Sequence, residues 1–256
     1  MSKSRSFPMF AFRMFALAAT ASLLSTVAAR AGDEDRAKMS GEAKQEEMKA
    51  ESNEAERVGM AAEVLQASLT GDDNAIPRAL LEKAHAVVVV PQVVKGAFVV
   101  GGQYGKGLVS WRDADGHWSA PAFVSMGGAS YGFQAGVKTV DLVLVITDPN
   151  GLQALMEDEL KLGAGVGVTA GPIGRDAAAA INVTLDTGIY SYSRSQGLFA
   201  GASLDGAILA LDDAATKKVY GEDMTGKALL EVRHDGNETV APFLRTLETY
   251  VPKLES

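Results

Sequence analysis

Between Asn53 and Gly71, hydrophobic residues recur at helical spacing, three or four positions apart: Ala55, Val58, Ala62, Leu65 and Leu69. Asn53 with Glu56 fits a capping box at the start of such a helix, and Gly71 fits its end. A helix on a membrane surface would carry Lys or Arg on its polar face and bulky aromatic residues opposite, whereas this stretch carries glutamates. We therefore predict a helix that packs against a protein core.

Downstream of this helix the pattern changes to β-branched runs and alternating positions. Residues 86–90 (AVVVV) predict a buried strand that ends at Pro91. Residues 97–126 predict a hairpin, because they contain the turn signal Asp113-Ala114-Asp115-Gly116. Further strands are predicted within residues 130–148 and 181–211.

Three more helices are predicted around these strands. Two are short, from Pro77 to Lys83 and from Leu152 to Leu160, and a closing helix covers residues 240–250. Helices towards both ends of the chain and strands in its middle favour a single α+β domain with a largely antiparallel sheet and flanking N- and C-terminal helices.

The predicted strands are rich in glycine, of which the chain has 27. In residues 163–174 (GAGVGVTAGPIG) a glycine occupies every second position at first, which leaves one face of a strand bare. Another strand, a barrel-like bend of the sheet, or the acyl chain of a ligand must then lie close to that backbone. Packing within the protein is the interpretation we prefer over a ligand.

Residues 1–31 resemble an export signal. Lys3 and Arg5 precede an apolar run of eleven residues, Met14 to Leu24, and Ala29-Arg30-Ala31 is a small-x-small cleavage site. The run is too short to cross a membrane as a helix. The predicted organisation is a signal peptide at 1–31, an acidic linker or frayed helix at 32–52, and one domain at 53–256. The protein is expected in the periplasm or outside the cell, or peripheral to a membrane.

Charge and composition exclude several classes of function. Without the four basic residues of the signal the chain keeps 20 basic against 32 acidic residues, a net charge of −12, so nucleic acid is not an expected partner. The chain has no cysteine and only three scattered histidines, so the sequence predicts no disulfide, no metal site and no cofactor.

One motif suggests chemistry. Gly128-Ala129-Ser130-Tyr131-Gly132 fits G-x-S-x-G, the nucleophile elbow of serine hydrolases, and His234 follows downstream. An elbow needs a helix directly after the serine, but residues 132–137 (GFQAGV) are a poor helix start and a fair strand. We therefore predict that the protein is not an enzyme, and keep a hydrolase that uses Ser130 as a minor alternative.

Four blocks of sequence carry a specific resemblance. They are VVVVPQVVKGAFVVGGQYGKG (87–107), WSAPAFVSMGGASYGFQAG (118–136), KLGAGVGVTAGPIGRDA (161–177) and YSYSRSQGLFAG (190–201). Together and in this order they resemble the SYLF-domain family, over roughly Ala61 to Tyr220. The resemblance accounts for the glycines around Ser130 without a catalytic triad.

The resemblance implies binding of phospholipids or a membrane surface. Eukaryotic members of the SYLF family resemble endocytic membrane adaptors that bind phosphoinositides, and some bind actin; bacterial members are exported. Actin is not expected as a partner here, because a periplasmic protein meets none and the basic flanking segment that actin binding would need is acidic. Where the family typically has Lys this chain has Gln196, which removes one potential head-group contact.

The candidate lipid-binding residues are basic and aromatic side chains in or beside the glycine-rich strands: Lys95, Lys138, Arg175, Arg194, Trp111 and Trp118. Arg175 follows the turn Gly171-Pro172-Ile173-Gly174, whose backbone N–H groups could help to hold a phosphate, although pairing with an acid is an equal alternative. Trp111 and Trp118 flank the hairpin turn, where they either pair across the strands or lie at a lipid–water interface.

The function predicted from the sequence is a noncatalytic phospholipid-binding protein of the bacterial envelope. The alternative is a structural or protein-interaction module of the periplasm, with residues 33–51 as a solvated tether. The protein partner in that case is not identified by the sequence.

Overall fold

The computed structural model describes most of the chain from residue 52 onward, in the ranges 52–70, 75–97, 101–130, 136–157, 159–163, 167–173, 188–195, 198–201, 204, 206–231 and 237–251. All of them belong to one compact unit, Ala50–Ser256. The predicted signal peptide and all of the predicted linker except Ser52 lie outside the described residues.

A mixed sheet forms the centre of this unit and curls into a half-barrel. Its nine strands in the described residues are β1 (Ala86–Ala97), β2 (Gly101–Trp111), β3 (Ala122–Ser130), β4 (Gly136–Ile146), β5 (Glu159–Lys161), β6 (Val168–Ala170), β7 (Ile189–Ser195), β8 (Leu198–Gly201) and β9 (Ala207–Leu211). Eight of them follow the order β5-β9-β3-β2-β1-β4-β7-β6, and β8 pairs with β7. Every pair is antiparallel except β6 with β7. The predicted α+β fold with a largely antiparallel sheet is confirmed.

Six helices flank the sheet in the described residues. They are α1 (52–70), α2 (Arg78–Glu82), α3 (Pro149–Glu157), α4 (Asp213–Tyr220), α5 (Gly226–Glu231) and α6 (Ala241–Tyr250). Pro149 begins α3, where its missing N–H costs no hydrogen bond. The helix predicted at residues 152–160 therefore begins earlier, and Leu160 belongs to β5.

The helices bury both faces of the sheet. On one face, here called the α1 face, strand residues such as Val87, Val89 and Leu108 pack with α1, α2 and α6 through Leu65, Leu80 and Phe243. On the opposite face, here called the α3 face, Val88, Val90 and Leu144 pack with α3 and α5 through Leu152, Leu155 and Leu229. Burial on both faces explains why the first strand is a continuous apolar run rather than an alternating one.

Pro91 does not end β1, contrary to the prediction. The strand continues to Ala97 through an irregularity at residues 90–93, where its register with both neighbours shifts. Gln92 takes a left-handed φ of 50° there, and its backbone N–H donates to the Asp141 carboxylate at 3.0 Å instead of to a strand partner. A bulge of this kind leaves one residue outside the ladder, so a proline without an N–H is tolerated.

The predicted hairpin at residues 97–126 is confirmed. Strands β2 and β3 pair from Gly101↔Ser130 to Val109↔Ala122. In the connecting turn the Asp113 carboxylate accepts hydrogen bonds from the backbone N–H groups of Asp115 and His117, at 3.0 and 2.8 Å. This is the local bonding that makes Asp a turn residue.

Candidate functional site

One end of the sheet is rich in glycine and carries the exposed apolar side chains of the central strands. We call it the glycine-rich end; it comprises residues 93–97 of β1, 101–105 of β2, 126–130 of β3 and 136–140 of β4. Four large apolar side chains at this end or next to it are exposed: Val94 (46%), Tyr104 (55%), Val137 (78%) and Ile208 (36%).

The register places these four side chains on the same face. Val94 is the cross-strand partner of Tyr104, Gly96 is the partner of Val137, and Ile208 is the partner of Gly127. Partners on adjacent strands share a face, and so do residues two positions apart on one strand. All four therefore lie on the α1 face, in a band across five strands that we call the apolar strip.

Three glycines lie between the members of the apolar strip on the same face: Gly96, Gly102 and Gly127. A Cβ added at Gly127 would meet nothing within 4 Å, and at Gly96 or Gly102 the nearest atom would be 3.9 Å away. Packing within the described residues therefore does not require glycine at these positions. The backbone is left accessible between the apolar side chains, which makes the strip flat.

The opposite face of the glycine-rich end carries a pair of lysines. Lys95 of β1 and Lys138 of β4 are direct cross-strand partners, and Lys95 also faces Gln103 of β2. Burial and, secondly, the positive charge of Lys138 lower the pKa of Lys95. Among the described residues neither lysine lies within ion-pair distance of a carboxylate. Two adjacent cations are thus held together without a described counter-ion.

The remaining predicted residues do not join this pair. Arg194 of β7 is the cross-strand partner of Asp141 on β4. Asp141 lies two positions from Thr139, which pairs with Val94 of the apolar strip, so Arg194 lies on the α1 face beside the strip. Arg175 lies outside the described residues. Lys95, Lys138 and Arg194 therefore share a region of the sheet but not one face.

The two tryptophans lie at the other end of β2. Trp111 is half-buried and is the partner of Ala86, at the start of β1. Trp118 is only 7% exposed, and the Arg112 guanidinium stacks 4.5 Å from its ring centroid. The ring of Trp118 is thus enclosed by protein. Ala86, the partner of Trp111, lies nine residues before Lys95 on β1, so the two tryptophans are about 30 Å from Lys95 at roughly 3.3 Å per residue.

Ser130 is the last residue of β3, where it pairs with Gly101. A nucleophile elbow requires a helix directly after the serine. Here only residues 131–135 separate Ser130 from the start of β4 at Gly136. His234 lies outside the described residues. The structure therefore gives the hydrolase alternative no support.

The acidic turn of the hairpin brings three potential metal ligands within 4.8 Å of one another, Asp113, Asp115 and His117. The sequence predicted no metal site, and the turn itself explains this grouping. The Asp113 carboxylate already accepts two backbone hydrogen bonds, which fix the loop.

Of the described helices, none combines the length and the apolar character that crossing a membrane would take.

A curled glycine-rich sheet enclosed by helices defines the class of this protein as a small α+β domain. Residues 127–250 match the family model described as Ysc84, Las17-binding protein actin regulator. The chain therefore belongs to the Ysc84 (SYLF) family, as its four sequence blocks predicted.

Relatives come from yeasts and vertebrates. The chain is 32% identical to LAS seventeen-binding protein 3 of Saccharomyces cerevisiae over 205 residues, 79% of this chain and 44% of the relative. It is 35% identical to Protein YSC84 of the same yeast over 182 residues, 70% of this chain and 39% of the relative. SH3 domain-containing YSC84-like protein 1 of Xenopus laevis is 34% identical over 157 residues, 61% of this chain and 47% of the relative. The chain thus spans less than half the length of these curated relatives, and none of their names states an enzymatic activity.

Proposed function

We propose that this protein is a noncatalytic phospholipid-binding protein of the bacterial envelope. The apolar strip is the observation that carries the proposal. It combines exposed Val94, Tyr104 and Val137 side chains with glycines that internal packing does not require. Acyl chains or the interfacial region of a bilayer would cover this surface, and Arg194, which lies on the same face of the sheet, would meet head-group phosphates.

The energetics of such binding are modest. Full burial of one large apolar side chain contributes about 1.5–3 kcal/mol, and the side chains of the strip are already partly buried. Each Lys or Arg near an anionic surface adds about 1 kcal/mol. The net charge of −12 expected for the exported chain opposes binding to anionic lipids. The protein would therefore attach reversibly.

Tyr104→Ser is expected to weaken binding to phospholipid vesicles about ten-fold, because it removes the largest exposed ring of the strip, about 1.4 kcal/mol of transfer free energy. Co-sedimentation with vesicles of phosphatidylcholine and phosphatidylglycerol measures the affinity.

Two matched variants control this experiment. Tyr104→Phe keeps the ring and should bind like the wild type. Tyr250→Ser alters an exposed tyrosine at the end of α6, outside the sheet, and should also leave binding unchanged. Equal vesicle binding by Tyr104→Ser and the wild type would refute the claim that the apolar strip contacts lipid.

Export is the second part of the proposal and is supported by the signal-like pattern of residues 1–31. When the complete chain is expressed in a Gram-negative host, the protein recovered from the periplasm is expected to begin at Gly32. Intact-mass measurement of the periplasmic fraction checks this prediction. Recovery of the uncleaved chain from the cytoplasm would contradict it.

Protein binding is a second candidate function, because one yeast relative, LAS seventeen-binding protein 3, and the matching family model are both named for binding to Las17. Deletion of residues 32–51 distinguishes lipid binding from protein binding. Lipid binding by the domain should survive the deletion, whereas binding of a protein partner through the acidic tether should be lost. A periplasmic location would exclude actin as that partner.

A further inference from the structure

We propose that Lys95, Lys138 and Gln103 form a binding site for the phosphate dianion of a phosphomonoester on the α3 face of the sheet. If the phosphomonoester is the head group of a lipid, the site rests on the proposed function. If it is a soluble phosphate compound, the site is independent of that function.

The strand register brings the three side chains together. Gln103, Lys95 and Lys138 occupy consecutive positions in one row across β2, β1 and β4. Directly opposed residues of an antiparallel pair have Cβ atoms about 4.5–5.5 Å apart, so two lysine side chains can converge on one anion. Lys138 is exposed and Lys95 is half-buried, which leaves the row open to solvent on the Lys138 side.

The absence of a described counter-ion distinguishes this pair from three other lysines near the sheet and its helices. Lys106, Lys161 and Lys227 have carboxylate oxygens at 3.1, 2.9 and 3.6 Å, from Asp212, Glu159 and Glu231 respectively. Like charges directly opposed across strands destabilise a sheet. The lowered pKa of Lys95, caused first by burial and then by Lys138, reflects this unfavourable environment. An anion bound between the two ammonium groups would relieve it.

Gln103 supplies the buried side of the site. Its side chain is among the buried polar groups, 6% exposed, and its Oε1 atom has no hydrogen-bond partner among the described residues. Buried polar atoms in native proteins are normally paired. With an anion bound, the Gln103 amide N–H group donates to the phosphate, and Oε1 accepts from the ammonium group of Lys95.

The number of charges predicts selectivity. A phosphomonoester carries about −1.5 to −2 at neutral pH. It can therefore compensate both lysines at once, whereas a phosphodiester carries a single negative charge and compensates one. Phosphatidic acid should accordingly be preferred over phosphatidylglycerol when the two vesicle preparations are matched in total surface charge.

The test uses Lys138→Gln, with Lys83→Gln as the matched control, since Lys83 is an exposed lysine just before the opposite end of β1. Lys138→Gln is expected to lower the affinity for phosphatidylcholine vesicles containing phosphatidic acid about five-fold, and to leave the affinity for pure phosphatidylcholine vesicles unchanged. Lys83→Gln should bind both like the wild type.

Thermal unfolding supplies a readout that needs no membrane. Without added phosphate, Lys138→Gln should raise Tm by about 1–3 °C, because it removes the repulsion between the lysines. Inorganic phosphate, compared with chloride at equal ionic strength, should raise the Tm of the wild type and of Lys83→Gln but not that of Lys138→Gln.

The outcomes separate this site from the proposed function. If Lys138→Gln and the wild type bind phosphatidic acid vesicles equally and respond equally to phosphate, the site is refuted, while vesicle binding through the apolar strip can stand. If the wild type binds no vesicles but its phosphate response disappears in Lys138→Gln, the site is supported with a soluble ligand, and the lipid function is refuted.

Discussion

Replacing Gly107 by alanine is expected to destabilise the domain by about 3 kcal/mol or more, because the added methyl group would overlap backbone atoms. A Cβ at Gly107 would collide with the carbonyl oxygen of Val89 and lie 2.8 Å from the Cα of Val90. Both atoms belong to the central strand at the start of its irregularity beside Pro91. They cannot move away without breaking the pairing of β1 with β2 or β4.

Urea unfolding at neutral pH measures this effect, and Gly127→Ala is the matched control. Gly127 lies on β3 with nothing within 4 Å of an added Cβ, so its replacement should be neutral or stabilise by about 0.5–1 kcal/mol through lower entropy of the unfolded chain. Equal midpoints for the two variants would show that the glycines of the sheet are interchangeable and that β1 does not pack closely against Gly107.

These two glycines illustrate what sequence patterns reveal about this fold. The sequence shows that the strands are glycine-rich and that something must approach the bare backbone. It does not show which glycine faces a neighbouring strand and which is open. Gly107 and Gly127 cannot be distinguished in the sequence, but the backbone of β1 at the start of its irregularity contacts Gly107 and does not contact Gly127.

The elements themselves were largely predictable, because they depend on local patterns. The helical spacing between Val58 and Leu65, the hairpin around Asp113 and the closing helix all have short-range signals. Pro91 misled the prediction because its missing N–H normally ends a strand. The N–H of Gln92 and the carboxylate of Asp141, distant in sequence, stabilise the bulge that lets β1 continue.

The candidate site was less predictable because it depends on which strands are neighbours. Lys95 and Lys138 were identifiable as basic residues in glycine-rich strands, but their direct pairing follows from β1 lying between β2 and β4. The apolar strip was missed altogether. Its one local signal is residues 101–107 (GGQYGKG), where Tyr104 is the only large apolar side chain among glycines. Its exposure follows from where α1, α2 and α6 leave the sheet uncovered.

Asp212 is the residue whose charge is expected to matter most for stability. It lies between β9 and α4, where its carboxylate accepts from the N–H of Ala215 at 3.1 Å and caps the helix. The same carboxylate lies 3.1 Å from the ammonium group of Lys106 and 3.9 Å from the guanidinium group of Arg57. Arg57 is buried on α1 and also pairs with Glu54 at 2.8 Å. The ion-pair network thus links α1 to the sheet and to α4.

Asp212→Asn is expected to cost about 2–3 kcal/mol of unfolding free energy at pH 7, because asparagine can still cap α4 but no longer compensates Arg57 and Lys106. Asp212→Ala should cost about 1 kcal/mol more, through loss of the cap. Urea unfolding checks both values, with Glu248→Gln as the control, since this exposed carboxylate of α6 should contribute less than about 0.5 kcal/mol.

The pH dependence of the same variants distinguishes a lost charge from a general disturbance of packing. Burial alone would raise the pKa of Asp212, but the hydrogen bond from Ala215 and the charges of Lys106 and Arg57 outweigh it and lower the pKa below its usual value. The carboxylate therefore stabilises the fold fully above the ordinary Asp pKa of about 3.9, and this contribution is lost as the pH falls through the lower pKa of the folded state. The difference between wild type and Asp212→Asn should be constant from neutral pH down to about pH 5 and then shrink on further acidification. A difference that persists unchanged at the lowest pH at which the domain stays folded would mean that Asp212 acts through its shape and hydrogen bonds rather than through its charge.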